Sequence, residues 1–290
     1  MIPRIRPFFD SASCTFTYLV DDGTGACAVI DPVMGFDPRS GRREAEPAQA
    51  LLDVIEREDL RVEWLLETHA HADHLSGAPW LQQRCGGRIG IGAHITEVQQ
   101  AFRGIYALED LRPDGSQFDR LFAHGERFAI GRLGVGVIHV PGHTPADVAY
   151  RVADPGREAD AVFVGDTLFM PECGTARCDF PGGDAHALFR SVRKLLSLPP
   201  RTRLYVCHDY PAPGQLPRAM ATVAQQRAGN VHVRDGASEA EFVYRRRSRD
   251  ATLAMPQLML PAVQVNIRAG HLPPPDANGT VYLRLPVDRF

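Results

Sequence analysis

The sequence predicts an α/β (α+β) chain folded as a four-layer αββα sandwich, two sheets face to face with helices on both outer surfaces. Three observations lead there. β-rich runs occur in two successive sets, each followed by stretches with apolar residues at helical spacing. Strands and helices alternate in the first half. At 290 residues and 44% hydrophobic, the chain can bury a full core.

In chain order, "CTFTYLV" and "ACAVIDPV" flank the Asp/Gly turn "DDGTG", a hairpin that ends at Asp31. The polar, Pro-bearing "FDPRSGRREAEP" reads as a loop. Residues 47–59 carry Leu51, Leu52, Val54 and Ile55 at helical spacing and feed the strand "VEWLLET". "DHLSGAPWLQQRCGG" reads as a helix closed by Gly86 and Gly87, followed by the strand "RIGIG" and a helix over 94–103. The second set consists of "RFAIGRLGVGVIHV" and "DVAYRVADPGREADAVFVGD", β-rich runs broken by Gly, Pro and Asp. A helix over 184–197 begins at the cap-like Asp184, with Leu188, Phe189, Val192, Leu195 and Leu196 on one stripe, and "RLYVCHD" is another strand. "SEAEFVYRRR" opens with a capping box, Ser238 and Glu241, and the Pro-rich tail holds one late strand. The organisation is one catalytic domain over residues 1–235 and an extension over 236–290 packing on it.

Composition narrows the function. Lys+Arg 32 against Asp+Glu 35 gives a net charge of −3, which points to neither nucleic acid nor an anionic membrane surface. The N-terminal "MIPRIRPFFDSASCTFTYLV" lacks an uninterrupted apolar stretch, and no run approaches the ~18 apolar residues of a membrane span. A soluble, cytoplasmic protein is expected. The six cysteines are scattered, without paired knuckles, and read as reduced thiols.

The chemistry concentrates in "ETHAHADHLSG", where His69, His71, Asp73 and His74 follow a buried strand. Imidazoles and a carboxylate without thiolates suit Zn, Fe, Mn or a similar divalent ion. A lone polar turn would be a helix start with exposed histidines, but the HxHxDH spacing favours ligation. Three further strand ends offer the same kind of group: His143 in "VIHVPGHTPADV", Asp166 in "AVFVGDTLF" and His208 in "LYVCHDY".

These seven positions resemble the metallo-β-lactamase superfamily, whose pattern of HxHxDH, His, Asp, His is filled throughout, over residues 13 to about 235. The resemblance implies the αββα sandwich with its site between the two halves. It implies a first metal position at His69, His71 and His143, a second at Asp73, His74 and His208, and Asp166 between them. The longer strings "GDTLFMPECGTARCDFPGGDAHALFRSV", "HDY" and "VNIRAG" look like the persulfide dioxygenase (sulfur dioxygenase, ethylmalonic-encephalopathy-type) branch, in its bacterial subgroup with a long C-terminal tail.

That branch implies one Fe(II) per chain held by His69, His143 and Asp166, with His71, Asp73, His74 and His208 supporting it. It implies oxidation of glutathione persulfide, or a related small thiol, by O2 to sulfite and glutathione. Arg177, Arg268 and Tyr210 match positions linked to substrate binding, and fork-shaped guanidinium groups suit glutathione's carboxylates. The alternative is a glyoxalase II-type hydrolase of glutathione thioesters, with two Zn, Fe or Mn ions. The tail offers a surface for a homo-oligomer.

Other features read as ordinary structure. "RRRSR" at 245–249 is expected to be a solvated face or subunit contact, and Cys207 a small buried hydrophobe. His94, His124, His139, His186, His232 and His271 receive no role.

Overall fold

The computed structural model describes residues 2–153, 160–212 and 214–289. The first half contains β1 (Arg4–Asp10), β2 (Thr15–Asp21), β3 (Ala26–Ile30), β4 (Val33–Asp37), β5 (Arg42–Glu44), α1 (Glu46–Arg57), β6 (Arg61–Leu66), β7 (Leu75–Ser76), α2 (Ala78–Cys85), β8 (Arg88–Gly92), α3 (Ile95–Tyr106) and β9 (Arg120–Phe122). Among the described residues, one sheet runs β1-β2-β3-β6-β8-β9, antiparallel up to β3 and parallel beyond it. β5, β4 and β7 form a small side sheet.

The second half contributes β10 (Arg127–Ile130), β11 (Leu133–His139), β12 (Val148–Val152), β13 (Ala161–Phe163), α4 (Ala185–Leu196), β14 (Arg203–Tyr205), β15 (Met220–Thr222), α5 (Val223–Gly229), α6 (Glu239–Asp250) and α7 (Met259–Asn266). Its sheet runs β10 to β15 in sequence order, with β13 and β14 parallel. The Gly/Pro/Asp break between β12 and β13 falls on residues 154–159, outside the described residues. No helix of the described residues is long and apolar enough to cross a membrane.

Alternation along the strands builds the four layers, because successive side chains leave a sheet on opposite faces. Phe16, Tyr18, Ala28 and Ile30 meet Val135, Val137, Tyr150 and Phe163 in the core between the sheets. The intervening Leu19, Cys27 and Val29 face outward under α1, α2 and α3. In β6 the pairing register shifts beside Cys27 and Ala28, so that Val62 and Leu65 point to the helices while Trp64 and Leu66 point inward. Leu188, Val192 and Leu195 of α4, with Phe242 of α6, cover the outer face of the second sheet on Val162 and Leu204. Burying one such side chain contributes roughly 1.5–3 kcal/mol. The fold is the expected αββα sandwich.

Several expected elements differ. "FDPRSGRREAEP" is a hairpin of β4 and β5, whose exposed β5 has no apolar alternation to betray it. The helix assigned from Asp73 begins at Ala78, set by Pro79 in its first turn, and β7 precedes it. "RLYVCHD" is a strand only over Arg203–Tyr205. The late strand in the tail is absent among the described residues, where residues 280–287 have no strand partner. The tail instead folds α7, with Pro261 placed in the first turn where its missing N–H costs nothing. The capping box at Ser238 and Glu241 and the cap at Asp184 are present as expected.

Gly142 has φ +148°, and a Cβ there would lie 2.3 Å from the Leu188 Cα. This close approach seats the turn before His143 on α4. Gly142→Ala should therefore lower stability by roughly 2–4 kcal/mol, through strain plus overpacking. Thermal unfolding checks this, and an unchanged Tm would mean that the turn does not depend on the contact.

Candidate metal centre

The seven sequence-predicted groups arrive on four loops, all at one end of the sandwich. β6 leads directly into the loop carrying His69, His71, Asp73 and His74. His143 lies in the turn between β11 and β12, tightened by Asp147, whose carboxylate accepts from Thr144 N at 2.8 Å and from the Thr144 hydroxyl. Asp166 sits in the 3-10 turn Gly165–Thr167 after β13, where Gly165 has φ +53° and lies too close to Thr68 for a side chain. His208 follows β14 and forms an isolated bridge with Thr15.

The groups converge. The ligand atoms of His69, His143 and Asp166 lie within 4.8 Å of one another, and so do those of His71, Asp73 and His74. Asp166 Oδ2 is 3.7 Å from His69 Nε2 and 3.6 Å from His143 Nε2. His208 Nε2 is 3.2 Å from Asp166 Oδ1 and 3.6 Å from Asp73 Oδ2.

Each imidazole is anchored through its other nitrogen. His143 Nδ1 donates to Arg177 O at 2.7 Å, His74 Nδ1 to Leu75 O at 2.9 Å and His208 Nδ1 to Cys14 O at 3.1 Å. His69 Nδ1 meets Thr68 Oγ1 at 3.0 Å, and that hydroxyl donates onward to Asp31. His71 is inverted relative to the others: its Nε2 donates to Asp31 Oδ1 at 3.0 Å, which leaves Nδ1 free. The fixed nitrogens leave His69 Nε2, His71 Nδ1 and His74 Nε2 buried without hydrogen-bond partners. Such orphaned lone pairs in one cluster fit a divalent cation, and the outer hydrogen bonds set which nitrogen would meet it.

Asp31 and Glu67 complete the cluster and were not anticipated as functional. Asp31 also accepts from Thr68 N at 2.7 Å, and Glu67 Oε2 lies 3.5 Å from His71 Nε2. An acidic residue closing an apolar strand, as in "AVID", was the available signal. Burial disfavours the charged form of His69, His71, His74 and His208. It holds His69 well below its usual pKa and His74 down to about 4. For His208 burial is outweighed by Asp166 and Asp73, which raise it to about 9. For His71 it is outweighed by Asp31 and Glu67. Burial also keeps the Cys207 thiol well above its usual value, in line with a packing role.

A cavity of about 1050 Å³ opens onto this cluster, lined by Asp73, His143, Asp166 and His208 and walled by Phe169 and Phe180. Tyr210 lines it, its ring parallel to His208 at 6.0 Å. Arg177 lines it too, but its guanidinium is forked onto Asp179 at 2.6 and 2.7 Å. Arg268 is not brought to the cavity. It is buried and paired with Asp110 at 2.8 Å, beside a separate cleft of about 320 Å³. The "RRRSR" run is not uniformly solvated: Arg246 is buried on Asp250 at 2.6 Å, and both Arg246 and Arg249 line the main cavity. Among the described residues Arg249 has no carboxylate partner. His232, given no role from sequence, also lines the cavity and accepts from Thr175 N through Nδ1.

Residues 15–208 match the metallo-beta-lactamase superfamily, a span bounded by the bridged pair Thr15 and His208. The chain belongs to that superfamily. This superfamily member is 53% identical to a Burkholderia pseudomallei protein named as a metallo-hydrolase, over 98% of this chain and 99% of that one. It is 48% identical to glyoxylase B2 of Dictyostelium discoideum over 93% and 91%, and 30% identical to the persulfide dioxygenase ETHE1 of Bos taurus over 93% and 90%. The crystal structure of ETHE1 from Myxococcus xanthus matches it with a TM-score of 0.72 and 29% identity, covering 92% of this chain and 100% of that one.

The electrostatics give a pH signature. His208, with a pKa of about 9, carries a proton at neutral pH in the metal-free protein, and a metal bound through its Nε2 must expel it. Affinity for a metal that takes His208 as a ligand should accordingly rise roughly tenfold per pH unit for the one displaced proton up to about 9 and then level. Titration calorimetry in buffers of different protonation enthalpy counts the protons. No release at pH 7 would remove His208 from the ligand set.

Proposed function

We propose that this chain is a persulfide dioxygenase, oxidising glutathione persulfide with O2 and water to sulfite and glutathione at one iron held by His69, His143 and Asp166. One observation carries this reading. Two segments that carry the dioxygenase resemblance, "ARCDFPGGDA" and "VNIR", both reach the loops of the cluster: Arg177 O holds His143, and Asn266 holds the loop of His71 and His74. The likeness to the Bos taurus persulfide dioxygenase over 93% of the chain supports the same reading.

Two imidazoles and a carboxylate would leave an iron with open positions for a thiol sulfur and O2. The remaining work belongs to the chain. Arg177 O and Thr68 Oγ1 keep the Nε2 atoms of His143 and His69 turned inward. Phe169 and Phe180 make an apolar wall that limits water near the sulfur. Arg249 meets a glutathione carboxylate, while Glu44 and Glu46, which line the same cavity without ion pairs among the described residues, suit its ammonium group. Tyr210 contributes a ring face beside His208. The same reading takes residues 1–235 as the catalytic domain and residues 236–290 as its extension, with α6 against α4 and α7 against β7.

A second reading has its own support. His71, Asp73 and His74 form a second donor set, His208 lies 3.6 Å from Asp73 and 3.2 Å from Asp166, and relatives at 48–53% identity carry glyoxylase and hydrolase names. A dinuclear site would polarise a thioester carbonyl and lower the pKa of bound water.

Metal analysis of the purified protein separates the two: one iron per chain is expected, and two metals would favour the hydrolase. Oxygen uptake with matching sulfite release from glutathione persulfide is the activity test, and cleavage of S-lactoylglutathione without oxygen uptake would overturn the proposal. Arg249→Gln should raise the apparent KM for glutathione persulfide about tenfold, the effect of roughly 1.4 kcal/mol of lost binding, with a smaller change in kcat. Steady-state oxygen-electrode kinetics measure it, and an unchanged KM would free Arg249 from substrate recognition.

A further inference from the structure

The C-terminal extension reaches into the metal loop through one side chain. Asn266, the last residue of α7, is buried, and its amide is fully spent on three backbone groups of the segment after β6. Nδ2 donates to His71 O at 2.8 Å and to His74 O at 2.8 Å, while Oδ1 accepts from Ser76 N at 2.8 Å. Only an amide offers two donors and an acceptor in one plane.

The contact continues inward. Ser76 donates its hydroxyl to Glu67, Glu67 lies beside His71 Nε2, and His71 Nε2 donates to Asp31. The residues after Asn266 lock the helix end in place. Ile267 O accepts from the buried Gln99 at 2.8 Å, and Gly270, at φ +80°, lies against Pro79 and Ser76 with no room for a side chain.

We propose that Asn266 is a positioning residue for metal binding, fixing the backbone from His71 to Ser76 so that His71 Nδ1, Asp73 and His74 Nε2 are aimed before an ion arrives. The C-terminal extension thereby belongs to the metal centre. This rests on reading His71, Asp73 and His74 as groups of the metal centre, ligands themselves in the two-metal reading and supports of the iron in the one-iron reading.

The test uses the full-length, metal-free chain, titrated with Zn(II), and anaerobically with Fe(II), against a competing chelator. Asn266→Asp keeps the volume and the Ser76 bond but turns acceptors toward two carbonyl oxygens. It should weaken affinity 10- to 100-fold, the range found when groups supporting a ligand are removed. Arg284→Ala breaks tail contacts to Tyr106 O and Ala107 O, away from the loop. It should lower Tm yet leave affinity within twofold. Equal affinity in Asn266→Asp and wild type, or an equal loss in Arg284→Ala, overturns the proposal. Should Asn266→Asp fail to fold, amide exchange of the metal-free wild type decides: the Ser76 N–H should exchange as slowly as the β2 and β3 amides, and fast exchange refutes a fixed loop. A wild type that binds neither ion would instead overturn the metal reading itself.

Discussion

The centre depends on the hydrogen bond that each site imidazole makes through the nitrogen facing away from the cluster. A histidine free to spin would present either nitrogen, or neither, and a buried imidazole with no partner costs about 1–3 kcal/mol for each unsatisfied atom. Backbone carbonyls at Arg177, Leu75 and Cys14 accept and cannot donate, so they fix the tautomer of three rings at once. His71 follows the opposite choice because its outer partner is the Asp31 carboxylate. What the metal-free protein keeps unpaired, three buried imidazole nitrogens in one cluster, is the feature that a cation would relieve.

These anchors come from parts of the chain far apart in sequence, which explains the architecture around them. Cys14 belongs to the first hairpin, Arg177 to the long connection between β13 and α4, and Asn266 to the tail. A sandwich whose two sheets present their loops at a common end allows such segments to meet without any one of them being long. The core between the sheets holds that end together: Tyr150 of the second sheet donates to Glu67 O at 2.9 Å, and Tyr18 of the first donates to Val206 O, so each sheet is bonded to the strand end that leads into the other's histidines of the cluster.

Much of this was legible in the sequence. Strong periodicity made the helices over residues 47–59 and 184–197 readable, and the HxHxDH spacing with His143, Asp166 and His208 located every group of the cluster that carries a recognisable motif. The weak points share a physical cause. β5 is exposed on both faces and shows no pattern. α7 is apolar nearly all round, because it is buried between the metal loop and α3, and such a helix has no polar stripe to mark its period. Asp31, Glu67 and Asn266 act through hydrogen bonds to partners between 9 and 195 positions away, and single residues of this kind leave no spacing to read.

The arginines carry the same lesson to substrate recognition. A guanidinium near a cavity counts toward binding only if no carboxylate in the protein already occupies its fork. Arg177 is committed to Asp179, Arg246 to Asp250 and Arg268 to Asp110, each at 2.6–2.8 Å. For an anionic ligand to take any of them, it must first displace a geometry that the fold already satisfies. Arg249 needs no such displacement: it lines the cavity from the end of α6 and has no carboxylate partner among the described residues. An anionic ligand entering this cavity would therefore meet the free guanidinium of Arg249 on α6, in the same segment whose Asn266 holds the loop of His71 and His74. The cavity's unpaired arginine and the anchor of the histidine loop are in this way physically joined through residues 239–270.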